Sequence, residues 1–211
     1  MQEVIVVHGL WVPGLAMSPL AARLAAQGFR CHLFRYAGRN HPMEANAERL
    51  LRFAHALGPA HFVGHSLGGL VILEALGAAP GVAAGKVVLL GTPAAGSFAG
   101  RRSCRRFAGH RFGRWLLGRS ESLLRERGAA RWRRPEPLGV IAGTMPLGLG
   151  RALGRLPGPN DGVVCVEETA IEGMRERIVL PVSHSAMIVS ARVAAQTAEF
   201  LRNGRFRHGG D

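Results

Sequence analysis

Apolar residues along the chain fall into short continuous runs separated by amphipathic stretches of helical length. Val4 to Val7 is the first such run. It stops at His8-Gly9, and Leu20, Leu24 and Ala25 then recur at helical spacing up to Gly28. That order predicts strand, loop and helix, with the glycine suited to close the helix. Phe29 to Tyr36 predicts a second strand, Met43 to Leu57 a second helix, and His61-Phe62-Val63 a short third strand running into Gly64. Further on, the pattern predicts a helix over Leu67 to Leu76 and strands over Lys86 to Leu90, Leu138 to Ala142 and Arg177 to Val182. A closing helix follows from about Ser185 to Leu201.

Strands alternating with helices at this spacing imply βαβ units, a mainly parallel sheet and right-handed crossovers. Most strand runs are apolar at every position rather than every second one, as expected of strands covered on both faces. No internal repeat is present. The 211 residues suffice for one compact α/β domain, expected over residues 1–203. An arginine-rich stretch, 94–137, interrupts the alternation. Its Trp115, Leu116, Leu117, Leu123 and Leu124 suggest a helical insertion or cover packed over the sheet. Residues 204–211 are glycine-rich and polar and are expected to form a flexible tail.

Composition narrows the setting. There is no run of about 18 apolar residues, and no basic leader or cleavage site precedes Val4, so a soluble, cytoplasmic protein is expected. Cys31, Cys104 and Cys165 are odd in number and lack CxxC spacing, which suggests neither a disulfide framework nor a zinc site. No cofactor or metal is expected. The formal charge of +13 favours phosphate-rich partners in principle. Twelve arginines against two glutamates lie between residues 100 and 134, however, so the excess is local, and Lys86 is the only lysine. We read this cluster as a solvated basic face rather than a nucleic-acid footprint. An anionic substrate or a membrane surface meeting the 101–134 arginines is the alternative.

The chemistry concentrates in Gly64-His65-Ser66-Leu67-Gly68-Gly69, a GxSxG motif between a predicted strand and a predicted helix. Such a serine sits on a strained turn with its Oγ exposed, and the flanking glycines let strand and helix approach. A serine hydroxyl needs a base to remove its proton. Of nine histidines, only His184 directly follows the last predicted strand, on a loop able to lean over the sheet edge toward Ser66. His8 and His65 belong to glycine-flanked turns and are read as braces. The imidazole in turn needs a carboxylate to fix its tautomer. Only two aspartates exist, and Asp211 is the last residue, which leaves Asp161 in Asn160-Asp161-Gly162, with Glu167 and Glu168 in reserve. The order Ser66, Asp161, His184 matches one of the three known triad orders. Negative charge on a reacting carbonyl oxygen requires N–H donors. The backbone N–H groups of Leu67 and Leu10 are the candidates.

These residues resemble the α/β-hydrolase superfamily, in particular small lipases and esterases with little or no lid. The resemblance rests on His8-Gly9-Leu10-Trp11, the Ser66 motif, Leu90-Gly91-Thr92-Pro93, Asn160-Asp161-Gly162-Val163-Val164 and Val182-Ser183-His184-Ser185. It implies a minimal α/β-hydrolase fold, a mainly parallel sheet of about six strands with helices on both faces, the chain starting at the third strand of larger members. It also implies a serine esterase acting on a small-molecule acyl ester. An acyltransferase or thioesterase using the same triad on an anionic acyl donor is the alternative, and a noncatalytic membrane- or nucleic-acid-binding protein is a third reading.

Overall fold

Six strands, all parallel, form the centre of the computed structural model, which describes residues 1–9, 14–36, 41–96, 130–147 and 156–208. They are β1 (Gln2–Val7), β2 (Phe29–Phe34), β3 (Ala60–His65), β4 (Ala84–Leu90), β5 (Leu138–Gly143) and β6 (Glu176–Leu180). Their order across the sheet is β2-β1-β3-β4-β5-β6. Among the described residues the helices are α1 (Ser18–Ala25), α2 (Met43–Leu57), α3 (Leu67–Ala78) and α4 (Ala191–Asn203). None is long and apolar enough to cross a membrane.

The continuous apolar runs are explained by burial on both faces of the sheet. Ile5, Val7, Phe62, Val87, Leu89 and Val140 pack with α2 and α3, against Met43, Leu50, Leu70 and Leu76. Their strand neighbours Val4, Val6, Val63, Val88, Leu90 and Ile141 pack on the opposite side with α1 and α4, against Leu20, Leu24, Val193 and Phe200. Each fully buried aliphatic side chain contributes roughly 1.5–3 kcal/mol. A polar residue at any central strand position would lose that on one face or the other.

Departures from the predicted elements have local causes. Strand β2 ends at Phe34, and Tyr36 leaves the ladder to pack against His8. Strand β3 (Ala60–His65) is longer at both ends than the predicted run, and its register with β4 shifts between Ala60 and Phe62. There His61 Nδ1 accepts the Lys86 N–H at 2.8 Å, and a Cβ on Gly85 would lie 2.4 Å from that nitrogen. The expected closing helix is split: a 3-10 turn, Ser185–Ile188, precedes α4, which Ser190 caps by accepting the Val193 N–H at 3.3 Å.

The stretch expected to be a flexible tail is anchored as far as His208. Gly204 closes α4 in the left-handed conformation, and Phe206 is buried with its ring centroid 4.7 Å from that of Phe200. Glu176 accepts the Phe206 N–H at 2.6 Å and pairs with His208, while Gln196 and Arg207 exchange two hydrogen bonds of 2.9 Å. One apolar anchor, hidden in a basic and glycine-rich sequence, accounts for the difference.

The expected helical cover and most of the arginine cluster fall on residues 97–129, outside the described residues. The carboxyl end of that cluster is described and is not a solvated face throughout. Arg131 pairs with Glu172 at 2.7 Å. Arg134, its side chain only 8% exposed, directs two donors to Glu136 at 2.7 and 3.0 Å. It sends three more to the carbonyls of Leu76, Ala79 and Val82 at 3.1, 3.0 and 2.8 Å. All five guanidinium N–H groups are used, and the cation sits where α3 presents unpaired carbonyls and the negative end of its dipole. Burial works against the Glu136 carboxylate, yet the Arg134 pair holds its pKa below the ordinary value. Replacing Arg134 by methionine would strand the carboxylate and three carbonyls. We expect Arg134→Met to lower the unfolding free energy by about 3 kcal/mol and Arg134→Lys by about half as much, read from urea denaturation midpoints.

Candidate active site

Strand β3 ends at His65 and α3 begins at Leu67, so Ser66 alone makes the turn between them. Its backbone angles are φ 54° and ψ −123°, and it is the only residue other than glycine with positive φ among the described residues. Such a conformation costs about 1–3 kcal/mol and persists only where neighbours over-determine it. Here the Ser66 N–H donates to the Leu90 carbonyl at 2.9 Å, and the Ser66 carbonyl accepts from Thr92 Oγ1 and the Gly69 N–H, both at 3.1 Å. The glycines of the motif are sites of close approach. A Cβ on Gly68 would lie 2.4 Å from the carbonyl oxygens of Val7 and His8, and one on Gly64 2.7 Å from the Gly69 backbone.

Asp161 and His184 meet behind this turn. Asp161 Oδ2 accepts from His184 Nδ1 at 2.7 Å, and the Asp161 carbonyl accepts the His184 N–H at 2.9 Å. The other carboxylate oxygen, Oδ1, accepts the N–H groups of Val163 and Val164 at 2.9 and 2.7 Å. Gly162, at φ 94°, supplies the backbone turn that brings those donors round. Asp161 is 1% exposed, and its buried carboxylate accepts from three donors.

Gly91 joins the two halves. It follows Leu90, the acceptor for Ser66, and a Cβ at Gly91 would lie 2.9 Å from Asp161 Oδ2 and 3.0 Å from His184 Nδ1. The aspartate–histidine pair thus packs directly on the end of β4, beside the Ser66 turn. Among the described residues no hydrogen bond joins Ser66 Oγ to His184. Bonds of this kind often tighten only with substrate in place. Of the reserve acids, Glu168 accepts the Cys165 N–H at 2.7 Å.

Leu67 is the first residue of α3, and its N–H belongs to the set that a helix start leaves unpaired. Leu10 lies outside the described residues. Gly9, next to it, lies against the turn, since a Cβ there would be 3.0 Å from Ser66 Cβ. The two other histidines brace loops. The His8 ring stacks on Tyr36 with centroids 4.4 Å apart, and Tyr36 donates its hydroxyl to the His8 carbonyl at 2.9 Å. His65 is 1% exposed, and its Nε2 lies 3.0 Å from the His184 carbonyl oxygen. Burial lowers the pKa of His8 and pushes that of His65 down to about 3, the latter with help from the neighbouring His184.

Three contributors were not identified as site residues from sequence. Thr92 and Gly91 stand in a turn whose only signal was its resemblance to lipase-type members. Tyr36, the single tyrosine, gave the weaker signal that a buried tyrosine seeks a partner for its hydroxyl. Among the described residues, no cluster of three or more histidine, cysteine, aspartate or glutamate side chains is arranged to hold a metal ion.

A family model described as the alpha/beta hydrolase family matches residues 4–196. No curated protein matches the sequence. Among solved structures, the mature lipase BlEst2 of Bacillus licheniformis is similar with a TM-score of 0.70 at 18% identity, covering 95% of this chain and 91% of that one. A metagenomic carboxyl esterase gives 0.70 at 20% identity, covering 95% and 75%. The pyrethroid hydrolase PytH gives 0.68 at 16%, covering 97% and 98%. At these identities the likeness is one of fold.

The buried histidines make stability depend on pH in a defined direction. His65 has a folded pKa of about 3 against an ordinary 6.5, so the unfolded chain binds a proton that the folded chain does not. Its contribution is fully present above the unfolded value and is lost as pH falls through the window toward the folded value. At pH near 5, wild type should take up about one proton more on unfolding than His65→Leu. Urea unfolding at several pH values between about 5 and 7 measures that difference in slope.

Proposed function

Because the chain belongs to the alpha/beta hydrolase family, we propose that it hydrolyses carboxylic esters through an acyl-enzyme on Ser66, with His184 as general base and Asp161 holding the imidazole. The observation that carries this reading is the 2.7 Å contact between Asp161 and His184, packed on Gly91 beside a serine at positive φ. Each part has a chemical consequence. Asp161 Oδ2 accepts from Nδ1, so the neutral imidazole carries its proton there and leaves the Nε2 lone pair for the Ser66 hydroxyl. Oγ attacks the ester carbonyl carbon while Nε2 takes the hydroxyl proton, and the imidazolium is stabilised by the buried carboxylate. Collapse of the tetrahedral adduct breaks the bond to the alcohol oxygen, which leaves with the proton from Nε2. Water then repeats the sequence on the acyl-enzyme, giving the acid and free Ser66. The developing oxyanion falls to the N–H groups of Leu67 and Leu10. That Bacillus licheniformis BlEst2 is a lipase and the metagenomic neighbour a carboxyl esterase supports the choice of ester over other acyl compounds.

A panel of p-nitrophenyl esters of increasing chain length, together with a fluorophosphonate label, tests the proposal. Wild type should hydrolyse at least one ester and take up one label, and Ser66→Ala should lose the label and about 10⁴-fold or more in kcat. Hydrolysis and labelling that survive in Ser66→Ala would refute it. Gly91→Ala is a test remote from the reacting atoms. The added methyl falls on the Asp161–His184 contact, and a displacement of that order should lower kcat by about 100-fold.

A further inference from the structure

Outside the three residues just assigned, the buried His65 side chain touches His184 itself. We infer that His65 is a positioning residue for His184: its Nε2–H donates to the His184 carbonyl oxygen at 3.0 Å and fixes the direction in which the His184 ring faces Ser66. The inference rests on the proposed hydrolytic role of Ser66 and His184.

His184 lies on a short connection between β6 and a 3-10 turn, not inside a regular element. Two contacts to Asp161 hold its N–H and its ring Nδ1, at 2.9 and 2.7 Å. Both come from the same residue, so they leave the His184 peptide able to pivot about Asp161. The His65 bond acts on the opposite side of the residue, at the carbonyl. It supplies the third fixed point that a direction requires.

The anchor is stiff. His65 is the last residue of β3, pairs in register with Leu90 of β4, and is buried. It is also joined by one peptide bond to Ser66, whose N–H is held by Leu90. Nucleophile and base are therefore tied to a single strand end, and a shift of that strand moves both together. An arginine or lysine here would donate equally well, but would place a permanent cation next to the imidazolium that catalysis forms. Histidine avoids this because a carbonyl only accepts, so Nε2 must carry the proton, and burial keeps Nδ1 unprotonated. The groups around the ring are His184, 4.7 Å away between centroids, with Asp161 and His8 beyond it. Burial, and the charge that His184 gains when it takes a proton, both lower the His65 pKa and outweigh the opposing Asp161 carboxylate, so the ring stays neutral.

Glutamine can place an amide N–H close to the Nε2 position of histidine, whereas asparagine is one methylene short and leucine has no donor. Steady-state kinetics on a p-nitrophenyl ester, with fluorophosphonate labelling rates, should separate these variants. We expect His65→Leu and His65→Asn to lose about 10- to 100-fold in kcat with KM changed less than about threefold, and His65→Gln to stay within about fivefold of wild type. Two substitutions without a donor in reach of the carbonyl guard against one of them failing to fold. Wild-type kcat in either, or a loss in His65→Gln as large as in His65→Leu, would overturn the positioning role while leaving the Ser66 proposal intact. Absence of labelling and ester hydrolysis in wild type itself would overturn both.

Discussion

The whole site hangs on one strained residue. Ser66 bears a side chain at φ 54°, a conformation that L residues avoid, and nothing intrinsic to its sequence would keep it there. The restraint comes from three separate elements: β4 through the Leu90 carbonyl, the following turn through Thr92, and the first turn of α3 through Gly69. Those contacts are possible only because the backbones approach more closely than side chains allow. At Gly68 the helix rests on the carbonyls of Val7 and His8, which binds the turn to β1 as well. Together these approaches hold the serine away from an ordinary helical or extended geometry.

The same strand ends place Asp161 and His184. Gly143 ends β5, and a Cβ there would lie 2.8 Å from the Asp161 side chain and 2.4 Å from the Val182 carbonyl, so the loops after β5 and β6 are pressed together at that point. Buried polar groups in such a place are costly unless satisfied. Asp161 meets the requirement with two backbone donors and His184, while His184 is engaged at its N–H, its carbonyl and its ring. With Asp161 and His184 each held at several points, the pair is fixed by backbone groups and by His65.

Much of this was legible in the sequence because the signals were local. Strand positions followed from apolar runs, and Ser66 from five residues in the right context. Asp161 followed from the scarcity of aspartates, and its Oδ2 lies 2.7 Å from His184 Nδ1. What escaped was relational. Nothing in Phe206 announced that it would pack on Phe200 and tie down a basic tail, since the partner lies across a helix turn and Glu176 on another strand. Arg134 looked like one arginine among twelve, and only its position under the end of α3 turns its five donors inward. His65 and His8 were recognised as braces, but which group each would brace depended on where β6 and Tyr36 came to lie.

Topology explains why these contacts converge at one point. Strand β1 lies between β2 and β3, so the chain leaves β1 toward one neighbour and, after β2, crosses back to the other side. Helix α1 follows β1 on one face of the sheet, and α3 follows β3 on the opposite face. The connections after β1 and β3 therefore diverge, and divergence at the carboxyl ends of adjacent parallel strands leaves a crevice without any side chain being specialised to make one. His8-Gly9 and the Ser66 turn meet at the foot of these connections, in contact at Gly9 and Gly68. Strands β4 to β6 are then added on one side only, each bringing its carboxyl end to the same edge: Gly91, Asp161 and His184 come from the three successive loops that follow them. A parallel sheet grown in this order gathers Ser66, Asp161 and His184 from distant parts of the chain. The chemistry of the residues at those ends, rather than any further feature of the fold, then decides what is done there.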